Sequence, residues 1–412
     1  MTMFGLEETV VTPLMAAVTS DDASGDVDER FARASWTGIV EPGDRLAGVF
    51  VGAVGAANAL KAVIERWSVD RVRTAITDAG GDDENGEEVA TALARWQPRL
   101  VSGPTISALR LAARIGARLA IPGDPGWPEG LADLGVYAPM ALWVRGNHST
   151  FAAVSNSIAL VGARAATGYG EGITMEASAG LVDRGIAIVS GAAYGIDGMA
   201  HRAALASSGQ TMAILAGGVD RFYPSGHDAL LARIVESGVV ISELPCGSAP
   251  TKWRFLQRNR LIAAVSQATV VMEAGWRSGS LNTAGHAATL GRPLGAVPGP
   301  VTSAMSAGCH RLIRDFGATC VTNSDEMAEL MPHFTVSDES PSTPVGAGYS
   351  TDEIRVLDAL SARSPRDVDD VARRAGLAVA SVKAVFGTLE IDGIIAQRER
   401  GWVKGSHQSA RR

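Results

Sequence analysis

Four stretches of this sequence set small or hydroxyl residues beside cationic or aromatic ones. VGARAATGYGEG (161–172) places Arg164 next to a glycine turn that opens a helix. SGAAYGIDGMAH (190–201) begins with the Ser190–Gly191 turn and carries Asp197 and His201 on the helix that follows. GWRSGSLNTA (275–284) puts Ser278, Gly279 and Ser280 at a helix start. Free N–H groups at such starts favour an anion such as phosphate. The fourth, KWRFLQRNRLIAAVSQ (252–267), holds Lys252, Phe255, Arg258, Asn259 and Arg260, and no Asp or Glu occurs between Glu243 and Glu273. Single-stranded nucleic acid needs cations for its phosphates and aromatic faces for its bases. Lys252 with Phe255 supplies one of each. On a helix Arg258 and Arg260 fall on different faces, so one is expected to meet the ligand and the other to brace the fold. Phe255 suits the core as well as a base.

Other chemistries fit less well. The first loop is not GxGxxG, and Ser190 stands where a ribose-binding acid would be expected, so a dinucleotide cofactor is disfavoured. No GxSxG elbow accompanies the second loop. Asp197 suits a helix cap, and Asp197 with His201 four residues on reads as a structural pair more readily than as a catalytic one. Arg164 has its own plain alternative, an ion pair with a surface carboxylate. Cys246, Cys309 and Cys320 have no CxxC spacing and the seven histidines form no HxxxH pattern, so neither metal nor disulfide is expected and reduced cytoplasmic thiols are the simple reading.

These loops need rigid supports, and the chain between them supplies a rhythm. SIALVGA (157–163), IAIVSG (186–191), TMAILAGG (211–218), VVISE (239–243), ATVVMEA (268–274) and PLGAVPG (293–299) are apolar runs separated by helical patterns. Continuous apolar strands with helical crossovers predict an α/β fold, a mostly parallel sheet covered by helices on both faces. Ligands in such sheets bind at the carboxyl ends of strands, where all four stretches lie.

The 412 residues predict several domains. Residues 1–28 read as disordered or weakly ordered, 29–115 as an N-terminal helical domain, 118–335 as the sheet domain, and 336–350 as a linker. Residues 351–405 predict three amphipathic helices and a two-strand ending, a winged-helix-like pattern. LAGVFVGAVGAANAL (46–60) is the most apolar stretch but too short for a bilayer, so a packed helix pair is expected and no membrane partner. The net charge of −7 is uneven. Residues 1–30 hold seven acids and one Arg, and 78–88 hold six acids; together they carry −12, leaving +5 for the remainder. A nucleic-acid partner is therefore compatible with the acidic total.

In combination the motifs resemble the DprA (DNA-processing protein A, Smf) family. The resemblance runs through VGARAATGYG, IVSGAAYGIDGMAH, TMAILAGGVDRFYP, ISELPCG, FLQRNRLIAAVS, EAGWRSGSLNTA, AVPGP and GCHRLIRDFGA, in order across about 118–335. It implies a Rossmann-like domain that binds single-stranded DNA, forms homodimers and helps load the RecA recombinase during natural transformation, with no established turnover and no cofactor. Its DNA groove would fall on Arg164, Ser190, Gly191, Lys252, Phe255, Arg258, Asn259, Arg260, Ser278, Gly279 and Ser280. Ala163, Leu256 and His310 depart from residues frequent in the family (Ser, Pro and Asn), and the first removes a hydroxyl beside Arg164. The competing reading is a nucleotide-hydrolysing Rossmann-like enzyme of the lysine-decarboxylase-like group. That group's PGGxGT turn is replaced here by SGSLNTA, and residues 281–292 contain no Glu.

Overall fold

The computed structural model describes residue 4, residues 6–20 and 26–332, and residues 350–404 apart from 363, 392 and 399. The chain divides into two units, Met1–Val336 and Ser337–Arg412. The expected linker at 336–350 lies, but for Ser350, outside the described residues.

The first unit opens with helices α1 (Glu8–Ala16), α2 (Val27–Ile39), α3 (Arg45–Val54), α4 (Ala56–Ile64), α5 (Val69–Asp78), α6 (Gly86–Trp96) and α7 (Ser102–Arg114). The expectation of little order over 1–28 fails at α1. Val11, Met15 and Val18 are buried against Phe31 and Leu109, and the Val18 carbonyl accepts from Leu119 N at 2.8 Å. The acids of 1–30 dominate the composition, yet VVTPLMAAV (10–18) gives the helix an apolar stripe worth burying. The apolar stretch at 46–60 is the helix pair α3 and α4, bent by 112° at Gly55, whose φ of +82° a side chain would resist. Phe50, Val51 and Leu60 are buried in the helical core. Among the described residues no single helix is long and apolar enough to cross a membrane.

A nine-stranded sheet follows, built from β1 (Arg118–Ala120), β2 (Leu142–Gly146), β3 (Ser157–Gly162), β4 (Ala187–Ser190), β5 (Thr211–Ile214), β6 (Val239–Ser242), β7 (Ala268–Glu273), β8 (Leu294–Ala296) and β9 (Thr319–Cys320). Its order is β1-β2-β6-β5-β4-β3-β7-β8-β9. Strands β3 to β9 pair in parallel, while β2 runs antiparallel to β6 and to β1. Helices α8 (His148–Ala153), α9 (Gly168–Asp183), α10 (Ile196–Ala206), α11 (Asp228–Ser237), α12 (Lys252–Val265), α13 (Ser280–Thr289), α14 (Ala307–Asp315) and α15 (Ser324–Ala328) complete the layers. Side chains alternate across the sheet as strand geometry requires. On β3, Ile158 and Leu160 meet Leu181 of α9 and Ile196 of α10, while Ala159 and Val161 join the core shared by Leu261 of α12 and Ala284 of α13. Each fully buried aliphatic side chain of this kind contributes about 1.5–3 kcal/mol.

The second unit holds α16 (Thr351–Ala359), α17 (Val368–Ala375) and α18 (Val379–Ile391), then the hairpin β10 (Ile395–Arg398) and β11 (Gly401–Lys404). Ser350 and Glu353 form a reciprocal cap on α16, and Gly376 ends α17 at a φ of +65°. Val356, Val371, Phe386 and Leu389 form its own core, with Trp402 of the hairpin stacked near Phe386.

Candidate nucleic-acid interface

The chain runs outward from β3 through β4, β5 and β6, and α12 then carries it back to β7 on the other side of β3. Where the order reverses, the loops after β3 and β7 turn apart and leave a crevice at the strand ends. A cavity of about 410 Å³ fills it, lined by Gly162–Arg164 after β3, by Gly275 and Arg277–Ser280 after β7, and by Asp197, Phe255, Arg258 and Asn259.

Arg164 is exposed, and its guanidinium lies 5.1 Å from the centroid of the Phe255 ring. Two contacts fix the loop that carries it. Glu273, buried at the end of β7, accepts from Thr167 N at 2.8 Å and from Thr167 Oγ1 at 2.6 Å. Gly195, at a φ of +73°, brings its backbone against the carbonyls of Ala163 and Arg164, where a Cβ would collide. Phe255 is half-buried, outside the buried apolar clusters, and its ring also meets Tyr223 at 5.4 Å with the planes tilted by 52°. Tyr223 is 47% exposed, so the two rings and Arg164 form one accessible aromatic–cationic platform.

The basic island of α12 divides into separate roles. Lys252 is exposed in the first turn, one turn before Phe255, and does not line the cavity. Arg254 reaches Glu41 of the helical region with contacts of 2.9 and 3.0 Å. Burial raises the Glu41 carboxyl, but hydrogen bonds and charge from Arg254 and Arg99 outweigh that and hold it below the usual carboxylate range. Arg258 and Arg260 are both buried. Arg260 is bidentate to Glu243 at 2.8 Å and donates to the Tyr137 carbonyl; it lies away from the cavity and braces the fold. Arg258 lines the cavity, yet its Nη1 donates to the carbonyls of Gly191 at 2.6 Å and Ile214 at 2.5 Å. Burial brings its pKa down to about 10, opposed by Asp197 and assisted by Arg164. Arg258 thus contributes charge to the cavity floor from a fixed position. Asn259 also lines the cavity, donating to Asn282 Oδ1 at 3.1 Å.

The Ser190–Gly191 turn does not present the donors expected of it. Ser190 is fully buried and its hydroxyl donates to the Leu160 carbonyl at 2.6 Å. The Gly191 N–H donates to Asp197 Oδ2 at 3.1 Å, and the Gly191 carbonyl accepts from Arg258. Asp197 also accepts from Ala193 N, so it braces the loop before its helix. Burial raises its pKa, against the opposing charge of Arg258 and the two N–H bonds. His201 does not face Asp197: its Nδ1 lies 2.7 Å from Thr211 Oγ1, and burial lowers its pKa to about 3.

Across the cavity, Ser278 Oγ and Ser280 Oγ lie 2.8 Å apart at the start of α13, with Gly279 between them. Arg277 lines the same wall. The expected residues Arg164, Phe255, Arg258, Asn259, Ser278, Gly279 and Ser280 therefore share one cavity, Lys252 lies outside it, and Ser190, Gly191 and Arg260 are spent inside the fold. Arg277 and Tyr223 were not anticipated. RSG (277–279) carried a readable signal for the first, whereas Tyr223 reaches Phe255 only through the tertiary fold. Three guanidinium groups against one carboxyl, whose ionised form burial discourages, give the cavity a net positive lining.

The family model for DNA recombination-mediator protein A matches residues 118–332, and that for the DprA winged helix domain matches 340–399. A DprA-type relative in Mycobacterium tuberculosis is 44% identical over 306 residues, covering 71% of this chain and 78% of that protein. Protein Smf of Escherichia coli is 38% identical over 276 residues, covering 65% of this chain and 72% of its own length. The crystal structure of DNA processing protein A from Streptococcus pneumoniae superposes with a TM-score of 0.58 at 27% identity, covering 76% of this chain and all of that one.

Proposed function

We propose a function that starts from one premise: the chain belongs to the DNA recombination-mediator protein A family. It is a single-stranded DNA-binding recombination mediator that protects the strand and helps load the RecA recombinase during natural transformation. It acts in the cytoplasm as a homodimer, and the 118–335 region is its DNA-binding domain.

The observation that carries this reading is the Arg164–Phe255–Tyr223 platform on the rim of a positively lined cavity. A base stacks on the exposed aromatic faces, which every base can do, so recognition carries little sequence preference. The neighbouring phosphates meet Arg164, Arg277 and the Ser278–Ser280 turn, while Lys252 extends the cationic track outside the cavity. Arg258, held by two carbonyls, adds a charge that needs no rearrangement on binding.

Binding without turnover is favoured over nucleotide hydrolysis by how the nearby carboxyls are engaged. Asp197 accepts from the N–H groups of Gly191 and Ala193, and Glu273 accepts from the N–H and hydroxyl of Thr167. Both hold loops in place. The test is fluorescence anisotropy with labelled oligo-dT against a duplex of the same length, with a nucleoside monophosphate incubated in parallel. Preference for the single strand supports the reading; equal affinity for duplex, or release of free base from the monophosphate, refutes it.

A further inference from the structure

The loop after β7 carries two neighbours with different surroundings. Ser278 N donates to the Gly275 carbonyl at 3.1 Å, closing a turn with Trp276 and Arg277 at its centre. Arg277 lines the cavity, whereas Trp276 stands outside it, 54% exposed. The indole belongs to none of the buried apolar clusters. Helix α14 sets a cation beside it. Cys309 and Leu312 anchor that helix in the sheet core, and Gly308 N donates to the Ala274 carbonyl at 2.7 Å, so α14 starts against the turn. Arg311, between the two anchors, holds its guanidinium 5.0 Å from the Trp276 ring centre and 5.3 Å from that of Phe316. Phe316 is itself 47% exposed. The group repeats the composition of the Arg164–Phe255–Tyr223 platform, one guanidinium with two accessible rings.

Charge and continuity identify the occupant. Asp315 lies 4.0 Å from Arg311 and is held more closely by Arg314, at 2.7 Å. Arg277, Arg311 and Arg314 against this one carboxylate leave a positive surface around the exposed rings. A ligand for it alternates flat faces with anions, as a nucleotide chain does. A second copy of the chain fits less well, because a two-fold contact through this face would set each Arg311 close to its own counterpart. We propose, resting on the single-stranded DNA reading above, that the strand leaves the cavity past Arg277 and stacks a further base on Trp276. Arg311 and Phe316 back that second platform, and Arg277 meets a phosphate between the two.

The test uses the full chain and fluorescein-labelled oligo-dT in a series from about 4 to about 16 nucleotides, read by anisotropy. In the wild type the affinity should rise in a step of about tenfold once a strand reaches both platforms. Trp276→Ala, folded by circular dichroism, should lose that step and bind the shortest oligonucleotides with wild-type affinity. Trp276→Phe, which keeps a stacking face, should retain it. Phe255→Ala should instead weaken binding at every length. No step in the wild type, or a step that survives Trp276→Ala, overturns the proposal and leaves the DNA-binding function standing. Failure of the wild type to bind at any length removes that function and the proposal with it. A smaller molecular mass for Trp276→Ala in light scattering overturns the proposal too, and assigns the face to a second copy of the chain.

Discussion

Arg164, in the loop after β3, and Phe255, in α12, come from distant parts of the chain, yet the guanidinium of the first lies 5.1 Å from the ring centre of the second. The pairing holds a cation beside an aromatic face, which are the two groups that a single nucleotide step presents a need for. Phe255→Ala is expected to weaken oligo-dT binding by about 1–3 kcal/mol through the lost stack. Because Phe255 lies outside the buried clusters, its loss should leave the melting temperature nearly unchanged. Thermal unfolding beside anisotropy checks both, and a sharp drop in melting temperature with unchanged affinity would return Phe255 to the core.

Arg260 should behave in the opposite way. Removing one partner of a buried ion pair strands the other, and Glu243 has a side-chain exposure of only 10%. Arg260→Ala is expected to destabilise the protein by about 3–5 kcal/mol, read by urea unfolding. The protein that remains folded should bind oligo-dT as the wild type does. A large affinity loss without a stability loss would mean that Arg260, not Arg258, faces the DNA.

Gly191 is required for space. A Cβ there would run into the Arg258 guanidinium, which packs against the glycine backbone. Gly191→Ala therefore displaces Arg258 or the turn, at a cost of about 1–3 kcal/mol in stability. A weaker affinity for oligo-dT is expected with it. Wild-type stability and affinity in this variant would show that the floor of the cavity is not packed as described.

His201 gives a pH dependence. Its folded pKa is about 3, below the ordinary 6.5, because burial opposes the charged form. The unfolded chain therefore binds the proton first as pH falls. The stability is fully present above pH 6.5 and is lost progressively from there toward 3, at no more than about 1.4 kcal/mol per pH unit for the single proton. Asp197 has the opposite sign, since its raised pKa makes stability decline as pH rises from 3.8. Urea unfolding between pH 7 and 4 should show a shallower decline for His201→Gln than for wild type. Parallel curves would contradict the assignment.

Much of the sheet was readable because its strands are buried on both faces, so their apolar runs stand out between glycine turns. The same turns marked where the cavity would lie, since parallel strands all point their carboxyl ends one way. The strands β1 and β2 could be read from the sequence but not their antiparallel pairing, which apolar runs leave open, and α1 was hidden because its apolar stripe sits in an acidic segment. The basic island at 252–260 shows the limit most clearly. Its sequence neighbourhood lacks acids, but the fold supplies them: Glu41 reaches Arg254 from the helical region, and Glu243 reaches Arg260 from the end of β6. Arg258 finds carbonyls instead. Which of several arginines is left for a ligand depends on such long-range partners, and local spacing does not encode them.

In the proposed complex Arg164 meets a DNA phosphate at the rim of the cavity. The measurement that tests it most directly is the salt dependence of oligo-dT affinity for wild type and Arg164→Ala, read by anisotropy. Each phosphate contact on a single strand contributes about −0.7 to the slope of log affinity against log salt concentration, so the variant's slope should be shallower by about that amount. Its affinity at low salt should fall as well, with the fold intact by circular dichroism. An unchanged slope and affinity in the folded variant would contradict the account and place the DNA elsewhere on the molecule.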